Sequence, residues 1–189
     1  DFKKLCVLVR PTVGILTGLN AAHRERFGSL EATVATKCEL IDALPQGGIG
    51  LWNKDSISLR DAIEKRAPQW KRLGIRVLPY GGDLDKQHPY KLEFIRMLLG
   101  GLEGYEEGEE LKIECTPVGE ISMRVRVSSP KDPEWLVDEK IRMLGTHLAG
   151  PIGASLALAR ILGLSREEIA SGLKSLQPIQ RRLHLAYAA

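Results

Sequence analysis

The sequence predicts an α/β fold: a parallel sheet flanked by helices, with a small antiparallel β-hairpin. Three observations lead there. Strand and helix patterns alternate between Val13 and Pro79, two period-two runs flank a Pro117-Val-Gly turn, and two helical patterns close the chain.

The elements follow in order. Phe2, Leu5, Cys6 and Val9 form an amphipathic helix that must stop before Pro11, and Val13-Gly-Ile-Leu-Thr reads as a short buried strand. A loop from Gly18 to Gly28 carries His23. Ser29 then caps a helix running to Leu44, with Glu31 favourably placed in its first turn. Pro45-Gln-Gly-Gly ends that helix, and Ile49-Gly-Leu-Trp-Asn is a second strand. Ser58 and Asp61 suggest a capping box for a short helix to Arg66, and Ile75-Arg-Val-Leu-Pro is a third strand. Lys91 to Leu102 has helical character, and the Gly/Glu run from Gly100 to Glu110 reads as an exposed connection. Leu111–Thr116 and Glu120–Ser128 make the hairpin, with Ile121, Met123, Val125 and Val127 on one face. A further strand near Lys140–Leu144 can join it. Ile152–Leu162 is an apolar, buried helix. Ser165–Leu176 is a second helix, with a Ser165/Glu168 capping box and an Ile169, Leu173, Leu176 stripe.

Composition narrows the function classes. The chain has 189 residues, 43% hydrophobic and 27% charged, as in ordinary globular domains. Its net charge is only +3 with Lys and Arg scattered, and aromatic residues are few, so neither a basic stripe nor a stacking platform for nucleic acid is indicated. No apolar run is long enough for a membrane span. Cys6, Cys38 and Cys115 fit neither a zinc pattern nor a disulfide framework; free buried thiols favour a reducing cytoplasm. The chain lacks an initiating Met and stops at Leu185-Ala-Tyr-Ala-Ala, so it reads as a piece of a longer polypeptide.

One residue breaks the apolar pattern. Leu30, Val34, Cys38, Ile41 and Leu44 share a helix face, and Lys37 falls inside it. Partial desolvation favours the neutral amine, which is nucleophilic and open to modification, although a lysine can also snorkel to solvent. His23 follows a parallel strand on the edge where α/β sheets bind ligands, although a loop histidine can equally cap a neighbouring backbone group.

Set together, these motifs resemble the Mur ligase family. Pro11-Thr-Val-Gly-Ile-Leu-Thr-Gly-Leu-Asn-Ala-Ala-His23 is similar to the family's strand and magnesium-ligating histidine. The stretch from His23 to Lys37, through Phe27-Gly-Ser-Leu-Glu31, is similar to its helix with a carbamylated lysine. Leu44-Pro-Gln-Gly-Gly, Trp52-Asn-Lys-Asp55, Leu144-Gly-Thr-His147 and Leu164-Ser-Arg-Glu-Glu-Ile-Ala-Ser-Gly-Leu173 resemble further family motifs.

The resemblance implies a Rossmann-like, P-loop-type sheet. It also implies an ATP-dependent, ADP-forming amide ligase of peptidoglycan precursor synthesis that uses Mg2+. The version of the motif is most similar to the branch adding D-Ala-D-Ala to UDP-MurNAc-tripeptide. It further implies that His23 and carbamylated Lys37 act at the metal, and that His147, Asn53, Asp55 and Arg182 serve the nucleotide. Asn53 and Asp55 also suit a strand end and helix cap, and Arg182 a solvated charge. Residues 1–183 would form the central domain, and 184–189 the start of a linker.

Three features depart from the pattern. No G-x-x-x-x-G-K-S/T phosphate loop occurs, and the family's metal-binding glutamate, expected upstream of Asp1, is missing. The asparagines expected one and four positions after the adenine-side histidine are Leu148 and Pro151. The chain alone is therefore expected not to turn over ATP. Another Mur-type ligase and a non-catalytic Mur-like binding module remain alternatives.

Overall fold

The computed structural model describes residues 2–18, 29–81, 92–98, 110–118, 122–129, 136–142 and 148–177. It divides into two compact units, Asp1–Gly81 and Gly82–Ala189. The first holds α1 (Phe2–Val9), β1 (Val13–Leu16), α2 (Leu30–Asp42), β2 (Ile49–Asn53), α3 (Ile57–Arg72) and β3 (Arg76–Gly81). The second holds β4 (Leu92–Leu98), β5 (Glu110–Pro117), β6 (Met123–Ser128), β7 (Leu136–Ile141), α4 (Ala149–Ile161) and α5 (Arg166–Ser175).

In the first unit β1, β2 and β3 lie side by side and parallel, joined by α2 and α3 as crossovers. This is the α/β arrangement that alternating patterns predict. Its core gathers Leu16, Val34, Cys38, Ile41, Leu44, Trp52, Leu59, Ile63, Trp70 and Ile75. Gly14 and Gly50 face each other across the β1–β2 ladder, and both lie against the last turns of α2. A Cβ on Gly50 would sit 2.7 Å from Ile41 Cδ1, and one on Gly14 would sit 3.0 Å from Leu40 Cγ. The missing side chains thus form a notch that the fully buried Ile41 fills.

Helix α3 runs well past the predicted stop at Arg66. Pro68 removes one helical N–H, but Trp70 beyond it is fully buried, and its Nε1–H donates to Asp42 Oδ1 at 2.7 Å. Arg66 Nη1 donates to the other Asp42 oxygen at 2.8 Å, so the C-terminal turn of α2 grips α3 twice. That burial carries the helix through a residue that usually ends one. The N-cap is Ser56, without a side-chain bond, so the expected Ser58/Asp61 box does not form.

The second unit corrects three expectations. Leu92–Leu98, expected to be helical, is a strand antiparallel to β5. Its Leu, Glu, Arg and Met favour helix in isolation, but pairing with β5 overrides that preference. The hairpin β5–β6 forms as expected but is the centre of a four-stranded antiparallel array, with β4 and β7 outside it. Strand β7 begins at Leu136, four residues before the predicted start. Val137 and Ile141 are buried, while Asp138 accepts from Arg124 Nε at 2.6 Å and Arg126 Nε at 3.0 Å on β6. These two guanidinium groups, Arg124 first, hold the Asp138 carboxyl below the usual carboxylate range.

Helix α4 starts three residues early because Pro151 falls in its first turn, where a missing N–H costs nothing. Helix α5 carries the predicted capping box: Ser165 Oγ accepts from Glu168 N, and Glu168 accepts from Ser165 N. Ile169 and Leu173 are buried and Leu176 is half-buried. The Gly100–Glu110 connection, Ile121 and Leu144 lie outside the described residues. All three cysteines are buried and free, as expected. Among the described residues no helix is long and apolar enough to cross a membrane.

The notch at Gly50 is testable. Gly50→Ala should destabilise the protein by about 1–3 kcal/mol through overpacking against Ile41. Ile41→Val, which deletes Cδ1, should recover part of that loss in a double-mutant cycle measured by urea denaturation.

Candidate functional site

Helix α2 presents the candidate lysine. Ser29 Oγ accepts from Ala32 N at 3.1 Å, and Thr33 and Thr36 return their hydroxyls to the carbonyls of Ser29 and Ala32. Thr33, Val34, Cys38 and Ile41 are buried in this helix, and Lys37 between them is half-buried, as the pattern predicts. Burial raises the Cys38 thiol; Arg66 opposes that shift and Asp42 adds to it.

The C-terminal ends of the parallel strands form the second part. The last β1–β2 register pair is Leu16 with Trp52. One residue further, Asn53 Nδ2 donates to the Thr17 carbonyl at 3.1 Å, and Asn53 Oδ1 accepts from Asp55 N at 2.9 Å. On the other side of β2, Lys54 N donates to the Tyr80 carbonyl at 2.8 Å. Arg60 Nη2 from α3 donates to the Lys54 carbonyl at 3.1 Å. Gly81 has φ +134, and a Cβ there would sit 2.7 Å from Asp55 Oδ2. Only glycine fits that position. Tyr80 is fully buried, and its hydroxyl has no hydrogen-bond partner among the described residues. Burial, helped by the nearby Asp55 charge, pushes the Tyr80 hydroxyl up to about 12.

Of the sequence-predicted site residues, Lys37, Asn53 and Asp55 all lie in the parallel unit. His23, His147 and Arg182 lie outside the described residues. Among the described residues no group of three or more His, Cys, Asp or Glu side chains gathers to hold a metal. A lysine amine is a poor ligand for a hard cation, so Lys37 fits magnesium only as a carbamate, whose oxygens suit that ion. Sequence reasoning missed Tyr80, Gly81 and Thr17; the Gly81-Gly82 pair closing a strand pattern was the available signal. In the second unit, α4 and α5 enclose an apolar groove of about 360 Å3 lined by Ile152, Leu156, Ile169 and Leu173, among others.

A family profile described as the Mur ligase middle domain matches residues 1–121, well over half of the 189. The chain belongs to the Mur ligase family. Among its Mur relatives, the UDP-N-acetylmuramate–L-alanine ligase of Rhodococcus erythropolis is 30% identical over 181 residues, covering 91% of this chain and 32% of that protein. The UDP-N-acetylmuramoyl-tripeptide–D-alanyl-D-alanine ligase of Synechocystis is 25% identical over 169 residues, covering 89% of this chain and 28% of that protein. The MurF ligase of Thermotoga maritima, solved in complex with ADP, superposes with a TM-score of 0.61 at 22% identity. It covers 94% of this chain and 33% of its own, and shares the fold. The chain thus spans about a third of the length of these Mur ligases.

Tyr80→Phe should leave stability at pH 7.5 nearly unchanged, because the hydroxyl it removes has no partner. The alkaline limb should differ. A folded-state value near 12 against about 10 in the unfolded chain leaves stability intact below pH 10, and it falls as pH rises toward 12. Urea melts at pH 7.5 and 10.5 should show that Tyr80→Phe loses less stability between the two than the wild type.

Proposed function

We propose that this chain is the middle part of an ATP-dependent, ADP-forming amide ligase of peptidoglycan precursor synthesis. The favoured reaction joins D-Ala-D-Ala to UDP-MurNAc-tripeptide in the cytoplasm. The observation that carries this reading is the Mur ligase middle-domain match across the parallel unit, including the helix that bears half-buried Lys37. The Phe27-Gly-Ser-Leu-Glu31 motif supports the choice of amine.

In such a reaction a substrate carboxylate attacks the γ-phosphate of ATP and ADP leaves. The amine then attacks the acyl phosphate, and phosphate departs as the amide forms. His23 and carbamylated Lys37 would hold Mg2+, which offsets charge developing on the transferring phosphoryl oxygens. His147, Asp55 and Arg182, with Asn53, belong to the nucleotide side of the site. The phosphate-cradling loop is not in this sequence, so ATP turnover needs residues beyond these 189.

A second reading has its own support. The L-alanine ligase of Rhodococcus is 30% identical over 91% of this chain, against 25% for the D-alanyl-D-alanine ligase of Synechocystis. Joining L-alanine to UDP-MurNAc would use the same acyl-phosphate chemistry with a smaller amine. Full-length enzyme, assayed for ADP release with each UDP-MurNAc acceptor and each amine, separates the readings. Release only with L-alanine would replace the favoured assignment, and release with neither would remove the ligase reading.

Two substitutions test the site in the full-length enzyme. Lys37→Ala should abolish ligation, with partial rescue by a small carboxylate added to the assay; unchanged activity removes Lys37 from the mechanism. His23→Ala should raise the magnesium concentration needed for half-maximal rate, and an unaltered magnesium dependence counts against metal ligation.

A further inference from the structure

We propose that Asn53 is a positioning residue: its carboxamide fastens the exits of β1 and β2 and acts on the reaction through them. The proposal rests on the ligase reading above and refines the role that reading gives Asn53. Regular β1–β2 pairing ends at Leu16 and Trp52. The Asn53 side chain then extends the ladder by one bond, its Nδ2 donating to the Thr17 carbonyl at 3.1 Å. Its Oδ1 accepts from Asp55 N at 2.9 Å, a local turn that sets the direction in which Asp55 leaves the strand. Both ends of the carboxamide are therefore engaged within the protein. These two bonds fix the plane of the carboxamide, leaving one N–H and one oxygen lone pair spare.

The neighbouring contacts make the brace continuous. Lys54 N bonds the Tyr80 carbonyl on the far side of β2, and the Asp55 carboxylate lies against Gly81. Three strand exits are thereby tied in one row at the ligand-binding edge of a parallel sheet. Thr17 and Gly18, the latter at φ +140, are the last described residues before the segment that carries His23 in the sequence. Misplacement of about an ångström is enough to slow a reaction strongly without changing ground-state binding.

Asn53→Asp and Asn53→Ala separate the two bonds. The aspartate keeps an oxygen for Asp55 N but sets a carboxylate against the Thr17 carbonyl; the alanine loses both. In the full-length enzyme, both variants should lower kcat at least tenfold. Both should bind ADP with magnesium, measured by calorimetry, within about twofold of wild type. ADP affinity weakened tenfold with kcat preserved would overturn the proposal in favour of direct nucleotide contact. A lowered melting temperature with unchanged kcat per folded molecule would overturn it in favour of a purely structural role. Amide exchange gives a readout independent of activity. Asp55 N–H should exchange at least tenfold faster in Asn53→Ala and near the wild-type rate in Asn53→Asp. Equal protection in all three proteins overturns the brace. If the wild type shows no ATP-dependent ligation, the ligase reading falls by itself, and the exchange pattern alone upholds or overturns the Asn53–Asp55 half of the brace.

Discussion

The parallel unit depends on how closely one helix can approach one sheet. Gly14 and Gly50, adjacent in register, remove two side chains from the same spot, and Ile41 fills the space with its full branched bulk. This contact sets the height of α2 above the strands. Because Lys37 lies one turn earlier on the same helix, its half-buried position follows from that height. A larger residue at either glycine would lift the helix and expose the lysine, whatever the lysine's own neighbours.

Around this apolar contact the structure places polar ties at the ends of elements, where geometry matters more than energy. Asp42 closes α2 onto α3 through Trp70 and Arg66. Asn53 closes β2 onto the exit of β1, and Lys54 N reaches Tyr80 on β3. Each tie uses a group that regular secondary structure has left over. Such bonds add little net stability apiece but penalise alternative arrangements that leave buried donors unmet. Rigid strand exits are what a site needs when phosphate, carboxylate and amine must line up within fractions of an ångström.

Much of the fold was legible because its signals were local. Ser29 and Ser165 announce helix starts by residue type, and Pro11 announces an end. The alternation of Met123, Val125 and Val127 gives both a strand and its buried face. Misreadings arose where a distant partner outweighed local preference. The helix was expected to stop at Arg66, but Trp70 beyond it is held by Asp42, 28 residues earlier. The last strand was expected only from Lys140, but Asp138 is claimed by two arginines of β6 and Glu139 by Lys174 at 3.2 Å. Leu92–Leu98 became a strand only because β5 lay beside it. The candidate site divides the same way. Lys37 stood out by periodicity, and Asn53 and Asp55 by their place after a strand. The bond from Asn53 to Thr17 and the closeness of Gly81 to Asp55 join segments no local pattern relates.

The three buried cysteines have a practical consequence. Cys6, Cys38 and Cys115 come from a helix beside the sheet, the helix that bears Lys37 and the middle of the antiparallel array. Burial pushes the Cys115 thiol up to about 12 and raises that of Cys38, so the reactive thiolate is scarce at both in neutral buffer. The thiols of Cys38 and Cys115 therefore need not be removed before a reporter is attached. A single cysteine introduced at an exposed position, such as Ser171 on α5, would be the one that a maleimide dye or spin label finds first. The protein's own packing thus supplies the chemical silence that site-directed spectroscopy requires.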